Sequence, residues 1–394
     1  MAACNRAPEP AVDPQLAAEI AKIKAIDHHA HPIRPTAPGE APDTDYDALP
    51  VENLEASAPL ARLRPDSPEV IEAHRFFGNK KLDPSTTLDR LGIETMFANR
   101  VTMGPGLPSP RFLWVPFADA FMYPLSNAGL IHNSDQKAFF PLEERLLERY
   151  YADSGVASRP ATLDDYLTKV VRTTLERQKQ GGAVAIKFEM CYLRPFDIGN
   201  PSRAQAEQDW RLGASGKDLQ DYIFHFMATE AGRLNLAVHF HTGAGAGSYF
   251  NVAGANPMLL EPLFDDPALR KTNFVLVHGG WPFAKEATAL LAKPNVYIDF
   301  SAQTLTRYPR DVASDLRAWI EFVPEKVFFG TDAYAYSAES GWEEPAYIAA
   351  TAGREALGIA LTGMLRDGEI TRERAGVLAR LVLRDNVRKL YGLK

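Results

Sequence analysis

The sequence predicts an α/β fold, and within that class a (β/α)8 TIM barrel with long βα-loop insertions. Three observations lead there. Short apolar, β-rich runs alternate with amphipathic helical stretches, the order of βα units over a parallel sheet. Eight such alternations fit a barrel better than an open doubly wound sheet. No Gly-x-Gly-x-x-Gly turn follows the first strand, which argues against a dinucleotide-binding sheet. The 394 residues exceed the roughly 250 that one barrel needs, so insertions are expected.

The strands are expected at Ala25–His31, Ile93–Val101, Phe112–Phe117, Val184–Glu189, Leu236–His241, Phe274–His278, Val296–Ser301 and Val327–Asp332. Several are apolar on both faces, as strands covered on both sides should be. Helical patterns lie between them at Leu163–Gln180, Leu219–Arg233, Phe283–Ala292 and Val312–Phe322, with the last at about Pro345–Leu357 and Arg372–Leu390. Residues 1–14 read as a disordered N-terminal segment and 15–394 as one barrel. Insertions occupy about 33–89 and 118–161, where βα loops rise over the active face and serve as lid or specificity wall.

Composition narrows the partners. Hydrophobic residues make up 46% and charged residues 24%, ordinary for a soluble globular chain. A net charge of −7 supplies no basic excess for nucleic acid. No run of about 18 apolar residues is present to span a membrane. Two cysteines, Cys4 and Cys191, exclude a disulfide framework. Cys4 either belongs to a frayed terminus or is a trimmed lipobox cysteine. The compartment therefore stays open between cytoplasm and a bacterial periplasmic lipoprotein. A small-molecule substrate is expected, and a homo-oligomer is allowed.

The chemistry concentrates at strand ends. In Ile26-Asp27-His28-His29-Ala30-His31-Pro32, alternation turns His29 and His31 the same way and His28 to the opposite face. Two imidazoles on one side of a strand end can chelate one divalent ion. The fifth strand ends at His239-Phe240-His241, the sixth at His278, the eighth at Asp332, and the fourth carries Lys187 and Glu189. Burying so many polar groups without a shared partner would be costly. A common ion meets that cost.

These pieces, in this order, resemble the amidohydrolase superfamily. They are Ile26-Asp27-His28-His29-Ala30-His31, Ala185-Ile186-Lys187 followed by Tyr192 and Arg194, Phe240-His241-Thr242-Gly243, Leu276-Val277-His278 with Trp281-Pro282-Phe283, Asn295-Val296-Tyr297-Ile298-Asp299 and Phe329-Gly330-Thr331-Asp332. The nearest likeness is to the metal-dependent hydrolase branch, including amidohydrolase-like domains fused to glutamine-synthetase-like proteins. The resemblance implies metal ligands at His29, His31, His241, His278 and Asp332, with His239 behind them. It implies a divalent metal, zinc by preference, as one ion or two; a carboxylated Lys187 would bridge two. Asp332 and His278 would be catalytic, and Tyr192, Arg194 and Trp281 would bind substrate. Asp299, Ser301 and Gln303 are candidates for holding the histidines. The implied reaction is water-driven cleavage of an amide, lactone or related acyl C–N or C–O bond in a small, carboxylate-bearing substrate. The alternative is a mononuclear zinc decarboxylase of a small unsaturated or aromatic acid.

Overall fold

Eight parallel strands form two sheets. In this computed structural model, which describes residues 11–37, 39–50, 60–78, 82–243, 245–336 and 341–394, the strands are β1 (Ala25–Ala30), β2 (Ile93–Asn99), β3 (Phe112–Val115), β4 (Ala185–Phe188), β5 (Ala237–His241), β6 (Phe274–Val277), β7 (Val296–Asp299) and β8 (Val327–Phe328). One sheet runs β1-β2-β3 and the other β4-β5-β6-β7-β8. Backbone hydrogen bonds cross both gaps between them. Asp332 N–H donates to His29 O (2.7 Å) and His31 N–H to Ala333 O (2.8 Å) on one side. Lys187 N–H donates to Pro116 O (2.8 Å) and Ala118 N–H to Lys187 O (2.9 Å) on the other.

All eight strands lie where the sequence places them, but most end early. The shortest is β8, which stops at Phe328 rather than at Asp332. Its continuation leaves extended geometry, and Asp332 has a φ of 57°. Side chains from both sheets meet in one apolar cluster that includes Ile26, Phe97, Ala185, Ala237, Val275 and Phe328. Burying each of the larger ones is worth roughly 1.5–3 kcal/mol. The last helix, Asn386–Tyr391, brings Val387, Leu390 and Tyr391 into the same cluster.

Helix starts follow local chemistry. Asp13, Ser67 and Asp83 each accept a hydrogen bond from a backbone N–H of the first turn, and a proline follows each; such caps satisfy donors that the helix leaves free. Residues 1–10, and with them Cys4, lie outside the described residues. The expected disorder to residue 14 is corrected at its far end. There Asp13 caps the helix Pro14–Ala21 and pairs with Arg372 at 2.8 Å. No helix of the described residues is long and apolar enough to cross a membrane.

The insertions are more structured than the sequence suggests. The first holds helices Pro68–Phe77 and Pro84–Leu91. The second holds a 20-residue helix, Ser134–Asp153. Its aromatics Phe139, Phe140 and Tyr150 are buried in the core, and Tyr150 stacks on Phe121 at 4.6 Å. The two insertions also touch. Arg149 Nη1 donates to Asp45 Oδ1 at 3.0 Å.

Candidate metal centre

The end of β1 is irregular. Its pairing with β2 shifts register between Asp27 and Ala30, which breaks strict alternation. His28 therefore does not point away from the other histidines, as alternation predicts. Its ring sits one layer below them, 4.5 Å from His239 and 5.0 Å from Phe328. His29 lies above, 4.9 Å from His278 between ring centroids.

Residues far apart in sequence converge here. His29 Nε2 lies 3.3 Å from His31 Nε2 and 3.2 Å from Asp332 Oδ1. His278 Nε2 lies 3.1 Å from His241 Nδ1. One ligand atom each from His29, His31 and Asp332 falls within 4.8 Å of the others, a spacing that suits one cation. A second group, sharing His31, adds Asp47 and Glu189. His278 and Asp332 both adopt left-handed backbone, with φ of 69° and 57°. Non-glycine residues take that conformation only when the surroundings impose it, and such strain gathers at functional sites.

Supports hold the rings. Asn99 Nδ2 lies 2.9 Å from His29 Nδ1. Asp27 accepts from the N–H of Thr331 at 2.9 Å and from its hydroxyl at 2.5 Å, tying β1 to the segment that carries Asp332. Ser301 Oγ lies 2.9 Å from His278 Nδ1, and Gln303 Nε2 donates to His278 O at 3.0 Å.

Burial sets the charges. It pushes the His29 and His278 rings well below the ordinary imidazole range, helped by Lys187 for His29 and by His241 for His278. Both therefore present neutral nitrogens, the form a metal requires. Burial also raises the Asp332 carboxyl to about 7. His31 behaves differently. Burial opposes its charge most strongly, but the Asp47 and Asp332 carboxylates together outweigh it and lift the ring to about 9.

Other expected site residues are placed as follows. Lys187 is fully buried, with Nζ 3.3 Å from Glu189 Oε1. Tyr192 packs its ring 5.0 Å from that of His241. Trp281 follows His278 and lies under the Arg307 guanidinium at 5.7 Å. Arg194 is not brought to the group. Its guanidinium bonds Asp221 at 2.7 Å and Gln220 at 2.9 Å, which leaves little of it for a substrate carboxylate.

Sequence reasoning missed Asp47, whose Oδ2 lies 3.3 Å from His31 Nδ1. The alternating carboxylates Asp43, Asp45 and Asp47 were a usable signal. It also missed Asn99, the last residue of β2, and Tyr391.

Comparison with known proteins decides the family. The family model described as Amidohydrolase matches residues 194–393, half of the chain, including His241, His278 and Asp332. The chain belongs to the amidohydrolase family. No curated protein matches this chain. Among solved structures, a Lactobacillus casei protein classed with the metal-dependent hydrolases superposes with a TM-score of 0.70 at 15% identity, covering 96% of this chain and 97% of its own. Glucuronate isomerase from Caulobacter crescentus gives 0.62 at 15% identity, with 99% and 97% covered. Uronate isomerase from Thermotoga maritima gives 0.54 at 15% identity, with 78% and 70% covered. At such identity these likenesses establish the fold alone, an α/β fold with parallel sheets.

Proposed function

We propose that this amidohydrolase is a metal-dependent hydrolase, that its eight strands close into a (β/α)8 barrel, and that His29, His31 and Asp332 hold a divalent ion with His241 and His278 beside it. The observation that carries the reading is the convergence of His29, His31 and Asp332 ligand atoms within 4.8 Å. Closure is supported by the hydrogen bonds across both inter-sheet gaps. The donor set fits a first-row divalent ion such as zinc, because it combines imidazole nitrogens with a carboxylate. When bound, such an ion makes a water nucleophilic near neutral pH and polarises a carbonyl.

The chain's own groups do the rest. Asp332, whose Oδ1 faces His29 and His31, takes the proton of the attacking water on its other carboxylate oxygen and returns it to the leaving nitrogen or oxygen. His278, held by Ser301, offers Nε2 toward the same space. The Tyr192 ring packs against His241 and excludes water from that side.

We infer one ion rather than two. Lys187 Nζ is engaged by Glu189. Carboxylation would need that nitrogen free, and the contact with Glu189 occupies it. The same pair keeps a second reading in play, a mononuclear decarboxylase of a small unsaturated or aromatic acid. Zinc- and manganese-loaded protein should be assayed on N-acyl amino acids, dipeptides, lactones, hexuronates and aromatic acids, with product and CO2 release followed separately. Hydrolysis without CO2 supports the proposal; CO2 release with no hydrolysis replaces it with the lyase. Absence of a stoichiometric ion ends both.

A further inference from the structure

His278 is tied to the last helix through a chain of buried contacts. Its Nδ1 lies 2.9 Å from Ser301 Oγ. Ser301 Oγ–H donates to Asp299 Oδ1 at 2.5 Å. Asp299 Oδ2 lies 2.9 Å from His28 Nδ1, and His28 Nε2 lies 2.8 Å from the Tyr391 hydroxyl. That hydroxyl also lies 2.6 Å from His239 Nε2. Asp299 Oδ1 further accepts the backbone N–H of His278 and of Ser301, each at 3.0 Å.

With all three rings neutral, one proton assignment satisfies these contacts. The Asp299 carboxylate can only accept, so His28 Nδ1 carries a proton and donates it. His28 Nε2 is then bare and accepts the Tyr391 hydroxyl proton. The Tyr391 oxygen accepts from His239 Nε2–H, leaving His239 Nδ1 bare; that nitrogen indeed has no hydrogen-bond partner among the described residues. At the other end, Ser301 gives its proton to Asp299, so its oxygen accepts from His278 Nδ1–H. His278 Nε2 is thereby the nitrogen with a free lone pair, and it faces His241.

We propose that Tyr391 is a positioning residue of the metal centre: its hydroxyl, acting through His28, Asp299 and Ser301, fixes the ring orientation and tautomer in which His278 offers Nε2. The metal part of this rests on the function proposed above, whereas the tautomer part does not. Without the phenol, His28 Nε2 and His239 Nε2–H both lose their buried partner, a cost that rotation of the His28 ring toward another partner relieves. Such a change withdraws the donor from Asp299, and the disturbance passes along the coupled bonds to Ser301 and His278.

The test uses the full chain with Tyr391→Phe, which keeps the ring against Phe97 (4.7 Å) and His28 (5.6 Å). Nitrogen-resolved NMR of the histidine rings in metal-free protein reads the tautomers, and chelator competition reads zinc affinity. His278, which Tyr391 does not touch, should lose its single Nδ1–H form, and zinc should bind about tenfold more weakly. Changes confined to His28 and His239, with His278 and zinc affinity unaltered, would reduce Tyr391 to local packing and overturn the proposal. Wild type without stoichiometric zinc would sink the metal reading, while the His278 tautomer in metal-free protein would still judge the relay. Ser301→Ala breaks the chain at its other end and serves if Tyr391→Phe folds poorly. On its own it should give the same loss of the single His278 form, and a retained form overturns the relay. The double variant should be no worse than Ser301→Ala alone; additive losses contradict the relay.

Discussion

At the residue scale, Asp332 carries the sharpest expectation. Asp332→Asn removes the proton acceptor but little volume, so turnover on the substrate found by screening should fall by at least about a thousandfold while the melting temperature holds. Circular dichroism and product assays decide it. Asp47 tests a quieter role. Its carboxylate faces His31 Nδ1, and such a partner directs the other nitrogen toward an ion. Asp47→Asn should weaken zinc binding by about 10-fold or more, read by chelator competition. That His29, His31, His241, His278 and Asp332 stand near strand ends was legible from the strand pattern; their role as ligands is the reading proposed above. Tyr391 was not legible, since it gains meaning only from partners that the fold brings to it; of Asp47 only the alternation with Asp43 and Asp45 was legible, not its partner His31. Arg194 misled for the same reason. The resemblance implied that it binds substrate, but Asp221 on the helix Lys217–Leu234 claims it.

At the element scale, the first insertion works as a strap of alternating carboxylates. Asp43 binds Arg100 bidentately at 2.8 and 2.9 Å, with both side chains nearly inaccessible. Asp45 reaches Arg149 with both partners about a third exposed. Removing one partner of a buried pair leaves an uncompensated charge. Asp43→Ala should therefore cost ~3–5 kcal/mol and Asp45→Ala ~1 kcal/mol or less. Urea midpoints of the two variants would reverse this ranking if the strap were incidental. The junction of β5 and β6 is equally constrained. A Cβ on Gly243, whose φ is +78°, would fall 2.1 Å from Trp281 O. Gly243→Ala should destabilise by at least ~2 kcal/mol and spread the His241–His278 pair. Strand positions were readable because both-face burial leaves long apolar runs. Their ends were not, since the chain leaves extended geometry where it aims His278 and Asp332.

At the scale of the whole molecule, burial of acids gives a pH signature. It raises the Asp27, Asp119 and Asp332 carboxyls to about 7 and Glu189 to about 8. A carboxyl with a raised folded pKa stays protonated after the unfolded chain has lost its proton, so stability declines as pH climbs toward that value. His31, raised to about 9, stabilises fully below its unfolded value and loses that contribution through 9. The depressed rings of His29, His239 and His278 act in the opposite sense, but only below about 6.5. Between pH 6.5 and 9 every contribution thus has one sign. Metal-free protein should lose roughly 5 °C or more of melting temperature across that window, and added zinc should recover part of it; a flat profile under chelator would contradict the raised His31 ring and Glu189 carboxyl. The parallel α/β plan was legible from its alternation, whereas the contact between Asp45 and Arg149 joins segments about a hundred residues apart and left no local trace. That contact has an evolutionary corollary. A specificity wall grafted in from a relative arrives without its counterpart, so productive chimeras of this enzyme should need both loops exchanged together.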